Sequence, residues 1–449
     1  MKNLKVILIS VILICTSIWI LLEYNKTTAK YLYGNSYRQN RIVNTIRLHQ
    51  YGITGKRIKV GIVDSGFYTA HTAFKKTRII EEFDFAVNLP TVSNQDHIGG
   101  MDHGTNVFSM IGGYQENEIL GIAYGADFYL AKSDKTSDRL TEEEGYAVNA
   151  YKWLSGKKVN IITTSLSYNK FEKADYYTPE QMDGNTALIT RVADSLSAGG
   201  IVFVSSAGNQ FEEEWQIIEP PADGFMVLAA GSIDKDLNHS FFSSSGPTVD
   251  GRIKPDIVTP GEGVWTANYL PGLKEEFGWN HGTSLAAPVA AGIAALVLSA
   301  HPDLSADQVR EAIRNTSSRA GNPDNLYGWG IPDAEMAVSY FGPAFSNLPG
   351  IIDHGGKIEI TTYVLSGYGL DKSSIEIHLL NNGKESVNKM NEEDDNFFSY
   401  IFYVSNEEDK VEFYFTAKDR RGNRTKFPSS FLSDHFTCIK KNGRFELTY

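Results

Sequence analysis

Cysteine is almost absent from this 449-residue chain: Cys15 sits in an apolar N-terminal segment and Cys438 close to the other end. Two thiols so placed cannot form a disulfide framework, so stability has to come from packing and, where present, bound ions. Runs of basic residues are missing too, and the formal net charge is −12. Phosphate backbones repel a surface of that sign, which argues against nucleic acid as a partner. The chain has no internal repeat and no low-complexity stretch. What it does have is length and 42% apolar composition, enough for one large core and a smaller second one.

Lys2 and Lys5 precede an uncharged apolar run over 6–22. The run is near the lower limit for a membrane span and long for a signal-peptide core. Thr27-Thr28-Ala29 offers a small-residue cleavage site, and Cys15 a candidate for lipid modification, against which its apolar neighbours argue. An uncleaved anchor, cleaved export and lipidation are the three readings, and in each the lysines stay inside and the rest is exported.

Hydrophobic strand-like runs recur at 58–63, 128–131, 159–165, 201–204 and 226–230, with helix-like stretches at 142–154, 187–198 and 285–299 between or after them. Continuous apolar strands alternating with helices predict an α/β fold: a largely parallel sheet flanked by helices on both faces. The Ala- and Gly-rich 285–299 stretch predicts a helix buried all round, with Pro288 in about its first turn. A further helix is expected over 304–313, with Ser305 as N-cap. Thr141 and Glu144 fit a capping box, which accounts for the acidic run Glu142-Glu143-Glu144 better than a calcium or substrate site does.

Four segments carry chemistry. Gly282-Thr283-Ser284 opens the apolar helix, and a serine hydroxyl there lies near free N–H groups that favour a developing oxyanion. Such a hydroxyl needs a base to take its proton, and the base needs an orienting acid. Asp64-Ser65-Gly66 follows the first strand, His103-Gly104-Thr105 precedes a predicted helix start, and Ala207-Gly208-Asn209 ends another strand in a side-chain amide. His-Gly-Thr occurs twice. His281, on the approach turn to Ser284, is poorly placed to turn its ring onto Oγ, so His103 is the expected base and His281 a substrate-side or exposed residue.

Together these segments resemble the subtilisin-like serine proteases, in the Asp, His, Ser order of that family. The resemblance runs from about residue 41 to 340. It implies an exported serine endopeptidase with Asp64, His103 and Ser284 as triad and Asn209 in the oxyanion hole, acting on protein or peptide substrates through an acyl-enzyme. Ser165-Leu166-Ser167, Ala207 and Gly208 would bind extended substrate. Most of the family has Gly where Ser167 stands, so a side chain here narrows or polarises the specificity pocket. The chemistry needs no metal or cofactor. Many relatives carry structural calcium, but no segment here identifies ligands, and nothing in the sequence fixes an oligomeric state. The stretch 23–41 is too short for the folded propeptide many secreted relatives carry. The rival class is a non-catalytic surface scaffold, against which the four intact residues speak; a second alternative keeps the triad but serves esters or one dedicated peptide.

Beyond about 340 the pattern turns to period 2. Alternating runs at 357–364, 374–380, 397–404 and 410–417, separated by turn clusters, predict a small all-β sandwich resembling immunoglobulin- or fibronectin-like modules. The expected division is therefore an N-terminal signal or anchor (1–25), a peptidase domain (26–342), a β-sandwich (343–433) serving as spacer or cap, and a tail (434–449). Gly342-Pro343 and Leu348-Pro349-Gly350 form the expected linker.

Overall fold

Seven parallel strands build the central sheet, the inner ones buried along most of their length. They are β1 (Lys59–Asp64), β2 (Arg78–Asp84), β3 (Asp127–Lys132), β4 (Ile161–Thr164), β5 (Val202–Ser206), β6 (Leu228–Ile233) and β7 (Ile257–Pro260), in the spatial order β7-β6-β5-β4-β1-β3-β2. The structure is a computed structural model that describes residues 30–93, 100–134, 142–171, 174–175, 177–270, 273–381, 384–404, 410–429, 433–441 and 444–448. The apolar segment 6–22, Thr27-Thr28-Ala29 and Thr141 lie outside them.

Helices cover both faces, as continuous apolar strands require. One face packs Val60, Ile62, Phe128 and Leu130 against α1 (Gly100–Gly112) and α4 (Thr283–Ala300). The other packs Val63, Ala131, Ile162 and Phe203 against α2 (Glu142–Gly156) and α3 (Leu188–Ala198). Helix α4 is long and apolar enough to cross a membrane, but it runs through the core, fully buried. Its Pro288 stands in the second turn rather than the first. Proline has no N–H to offer the Ser284 carbonyl one turn back, and the Ser165 hydroxyl donates to that carbonyl instead, at 2.8 Å. Helix α5 (Ala306–Asn315) starts at Ser305, whose side chain forms a capping box with Gln308.

Two strands had no clear sequence signal. β2 is the exposed edge of the sheet and carries Glu81 and Glu82 among its apolar residues; β7 has four residues and ends in Pro260. The capping box expected of Thr141 and Glu144 falls on a residue outside the described ones, but Glu144 itself is described. Its carboxylate accepts from Tyr177 Oη at 2.9 Å and from Ile189 N at 3.0 Å, tying α2 to the start of α3.

An antiparallel hairpin, β8 (Glu262–Leu270) with β9 (Leu273–His281), delivers the chain to α4. The second domain is antiparallel throughout: one five-stranded and one six-stranded sheet enclose Phe345, Ile358, Ile360, Phe398, Phe413, Phe415 and Phe436. The expected linker already belongs to it, since Ala344–Phe345 and Gly350–Asp353 pair with Lys357–Leu365. The residues expected as a tail do too. Phe436–Lys441 and Arg444–Thr448 form a hairpin on the six-stranded sheet. The domains touch through Asn347, which accepts from Thr54 N and donates to Ser299 O, and through stacked Tyr51 and Tyr363 rings.

Candidate active site

Asp64 is the last residue of β1, and Ser65-Gly66 turns the chain at the C-terminal edge of the sheet, where open α/β sheets hold their sites. His103 lies inside α1, in its first turn, and not before the helix as the sequence suggested. What brings helix and turn together is Gly104: a Cβ there would stand 2.1 Å from Gly66 O and 3.2 Å from Asp64 Cβ. Only a residue without a side chain permits that approach. Ser65 Oγ then donates to Gly100 O at 2.7 Å, and Thr105 Oγ1 accepts from Tyr68 N at 2.8 Å.

The outcome is a hydrogen bond of 2.7 Å from His103 Nδ1 to Asp64 Oδ1. The Asp64 side chain is fully buried, while that of His103 is 39% exposed. Oδ1 also accepts from Ser65 N at 2.7 Å, which fixes the carboxylate. Nδ1 is thus the ring nitrogen that faces the acid.

Ser284 is the second residue of α4. Its hydroxyl donates to Ser165 O at 3.2 Å, so the serine and the 165–167 segment after β4 are joined in both directions. On the other side, Asn209 Oδ1 accepts from Thr283 N and Thr283 Oγ1, both at 2.9 Å. Gly208 N donates to Thr283 Oγ1 at 3.2 Å. A point built as Cβ on Gly282 lies 3.7 Å from Ser284 N and 3.8 Å from Asn209 Nδ2, so both donors border one space. Leu166 and Ser167 are half-buried, and Ala207 is buried. His281 is exposed at the end of β9, paired with Glu262.

Asp102, next to His103, binds the hairpin to α1: its Oδ1 accepts from Tyr269 N at 2.7 Å. Burial holds this carboxyl above its ordinary range, against the hydrogen bonds from Tyr269 and Asn106 and the field of His103. Asn106 Nδ2 donates to Ala267 O at 2.8 Å and adds to the same seam. Gln39, from the segment preceding β1, pairs with both backbone groups of Trp265 on β8. None of these three had a sequence signal, because each acts on backbone from a distant element. Glu219 was missed as well: its Oε2 accepts from Ser167 Oγ at 2.8 Å. Among the described residues, no three His, Cys, Asp or Glu side chains gather as a metal site.

A parallel seven-stranded sheet with an acid, a histidine and a helix-opening serine at one edge defines a class, and comparison with known proteins agrees. Residues 55–330 match the model of the subtilase family, and the chain belongs to that family: it is a subtilisin-like serine endopeptidase. Subtilisin E of Bacillus subtilis (strain 168) is 29% identical over 294 residues, covering 65% of this chain and 68% of that protein. Serine protease AprX of the same organism is 30% identical over 309 residues, covering 64% and 67%. In fold, the chain is similar to the MycP3 protease from the type VII (ESX-3) secretion system, with TM-score 0.54 and 20% identity over 68% of this chain and 88% of that one.

Proposed function

We propose that Ser284 is the nucleophile of this endopeptidase, His103 its general base and Asp64 the group that orients the base. The observation that carries the reading is the 2.7 Å hydrogen bond from His103 Nδ1 to a fully buried carboxylate. It sets the imidazole tautomer with Nε2 as acceptor and stabilises the imidazolium that forms. The Ser284 hydroxyl rests on Ser165 O in this structure. Once released from that carbonyl, the hydroxyl can pass its proton to Nε2; catalytic hydrogen bonds commonly tighten only when substrate binds. The hydroxyl then attacks a peptide carbonyl, its proton passes to His103, and His103 returns a proton to the leaving amine. Water hydrolyses the acyl-enzyme with the same base. Asn209 Nδ2 and Ser284 N are the donors we assign to the oxyanion. An extended peptide adds beside Ser165-Leu166-Ser167 through backbone pairing.

The acidic, cysteine-poor chain with its apolar leader reads as an exported enzyme, anchored or released at the cell envelope. The sandwich reads as a cap that stiffens the peptidase domain where Asn347 and Tyr363 meet it. The test of the serine is labelling of the full chain with a fluorophosphonate probe, beside Ser284→Ala. Label on Ser284 that vanishes in the variant supports the assignment. A folded wild-type protein that stays unlabelled overturns it.

A further inference from the structure

Ser284 is fastened from more than one side. Ser165, and Asn209 through Thr283, tie it to the segments that follow β4 and β5. The base comes from elsewhere, on α1. The separation of His103 and Ser284 therefore depends on how α1 is joined to β9, the strand that runs into the serine turn. Apolar packing brings α1 and α4 together, but it is non-directional and tolerates sliding. Hydrogen bonds, with fixed length and direction, set the register.

A cluster of amides makes this joint, and its orientation follows from one atom. Ala267 O can only accept, so the Asn106 atom 2.8 Å from it is Nδ2. The same Nδ2 lies 3.0 Å from the Asn268 side chain and therefore meets its oxygen. The Asn280 atom 2.9 Å from that oxygen is then a nitrogen, and it also donates to Thr266 Oγ1 at 2.7 Å. Thr266 Oγ1 donates in turn to Asn268 Oδ1 at 2.8 Å. Asn268 Oδ1 thus accepts from α1, from its own strand β8 and from β9. Asn106 stands three positions after His103, and Asn280 four positions before Ser284. Asp102 ties α1 to β8 alone; through Asn268 the tie continues to β9. Gly278 leaves room for this amide, since a Cβ there would lie 2.6 Å from Asn268 Nδ2. Thr266 is fully buried, so without the Asn268 oxygen its hydroxyl has to move to find an acceptor.

We infer that Asn268 is a positioning residue for the reaction: its side-chain oxygen locks α1 to β9 and so sets the separation at which the proton passes from Ser284 to His103. The inference rests on the peptidase reading above. The role runs through Asn106 and Asn280 and requires no contact with substrate. A misplacement of about 1 Å between reacting groups lowers a rate by up to about 10²-fold.

The test is steady-state kinetics of the full chain on one peptide, with the concentration of working enzyme set by fluorophosphonate titration. Asn268→Leu keeps the size and removes the acceptor. Its kcat per titrated site should fall by about tenfold to about 10²-fold. KM should stay within about twofold of wild type, because a positioning loss falls on the chemical step. The acid limb of the pH profile should keep its wild-type position. Asn268→Asp offers oxygen to all three donors and should restore most of the loss in kcat. Asn280→Ala, which cuts the link to β9 alone, should lose about as much as Asn268→Leu, and combining the two should add little, since both break one path. A kcat per titrated site equal to wild type in Asn268→Leu or in Asn280→Ala overturns the inference. The amides would then serve the fold only, which shows as a lower Tm or a smaller titrated fraction. A loss carried by KM, or an Asp variant as slow as the Leu variant, overturns it too. If Asn268→Leu does not fold, Asn280→Ala decides alone. Failure of the peptidase reading looks different: wild-type protein takes no label on Ser284 and cleaves no peptide.

Discussion

The direction of the Asn209 amide is decided by its neighbours. Thr283 N can only donate, so the atom it meets at 2.9 Å has to be oxygen, and Nδ2 faces the other way. That places the amide N–H beside the space bordered by Ser284 N. An interaction made only as negative charge develops on the substrate oxygen raises kcat and leaves substrate binding alone. Asn209→Ala is therefore expected to lower kcat by about 10²–10³ with little change in KM. Asn209→Asp keeps the acceptor for Thr283 and puts an anion where the donor was, so its loss should be at least as large. Steady-state kinetics on one good peptide decides the matter. A loss confined to KM, or full activity of the Asp variant, would refute the assignment.

Between elements, the contact that makes the site is α1 against the turn after β1. Gly104 lies at its centre, and a methyl group there would overlap Gly66 O at 2.1 Å. Neither partner is the loose end of a side chain, so Gly104→Ala has to push the helix away from the turn. Overpacking of this kind costs about 1–3 kcal/mol, and His103 moves away from Asp64 with the helix. We expect a lower Tm together with a fall of about 10²-fold or more in kcat/KM; near-normal turnover in this variant would mean that the contact does not position the base. This seam also shows what the sequence could tell. Asp64, His103, Asn209 and Ser284 were legible because each lies in a motif whose glycine serves a close approach or a turn. The strands from β1 to β6, apart from β2, were legible from apolar runs. Gln39, Asp102 and Glu219 were not, since a lone polar residue carries no sign of which backbone the fold will set beside it. The hairpin Phe436–Lys441 with Arg444–Thr448 could have been found: Asn442-Gly443 between alternating residues is a hairpin signal.

Across the whole molecule, a buried and a half-buried histidine couple folding to pH. His49, in the segment ahead of β1, accepts from Tyr33 Oη at Nδ1 and donates from Nε2 to Ile122 O at 2.8 Å. His301, at the end of α4, donates from Nε2 to Val338 O at 2.9 Å, close to where the second domain begins. Burial pushes both down from the ordinary 6.5 to about 4, the backbone acceptors opposing it only in part. The folded chain thus holds both rings neutral at pH values where the unfolded chain protonates them. The unfolded state binds more protons over this range, so stability rises with pH. The contribution is complete above about pH 6.5 and is lost as pH falls through 4, on the order of 3 kcal/mol for each ring. Asp256 titrates in a different window. Burial alone would raise it, but Arg314 and Lys254 outweigh burial and hold it at about 2, so its contribution is lost only below the ordinary carboxylate value of 3.8. Urea unfolding followed from pH 8 to pH 3 should therefore show a level midpoint down to about 6.5 and a steep decline from there to 4. His301→Asn, which keeps a donor for Val338 O but takes up no proton in this range, should make the decline between 6.5 and 4 shallower and leave the part below 3.8 unchanged. A midpoint that stays level down to pH 4 in the wild type would show that neither ring is held neutral by the fold.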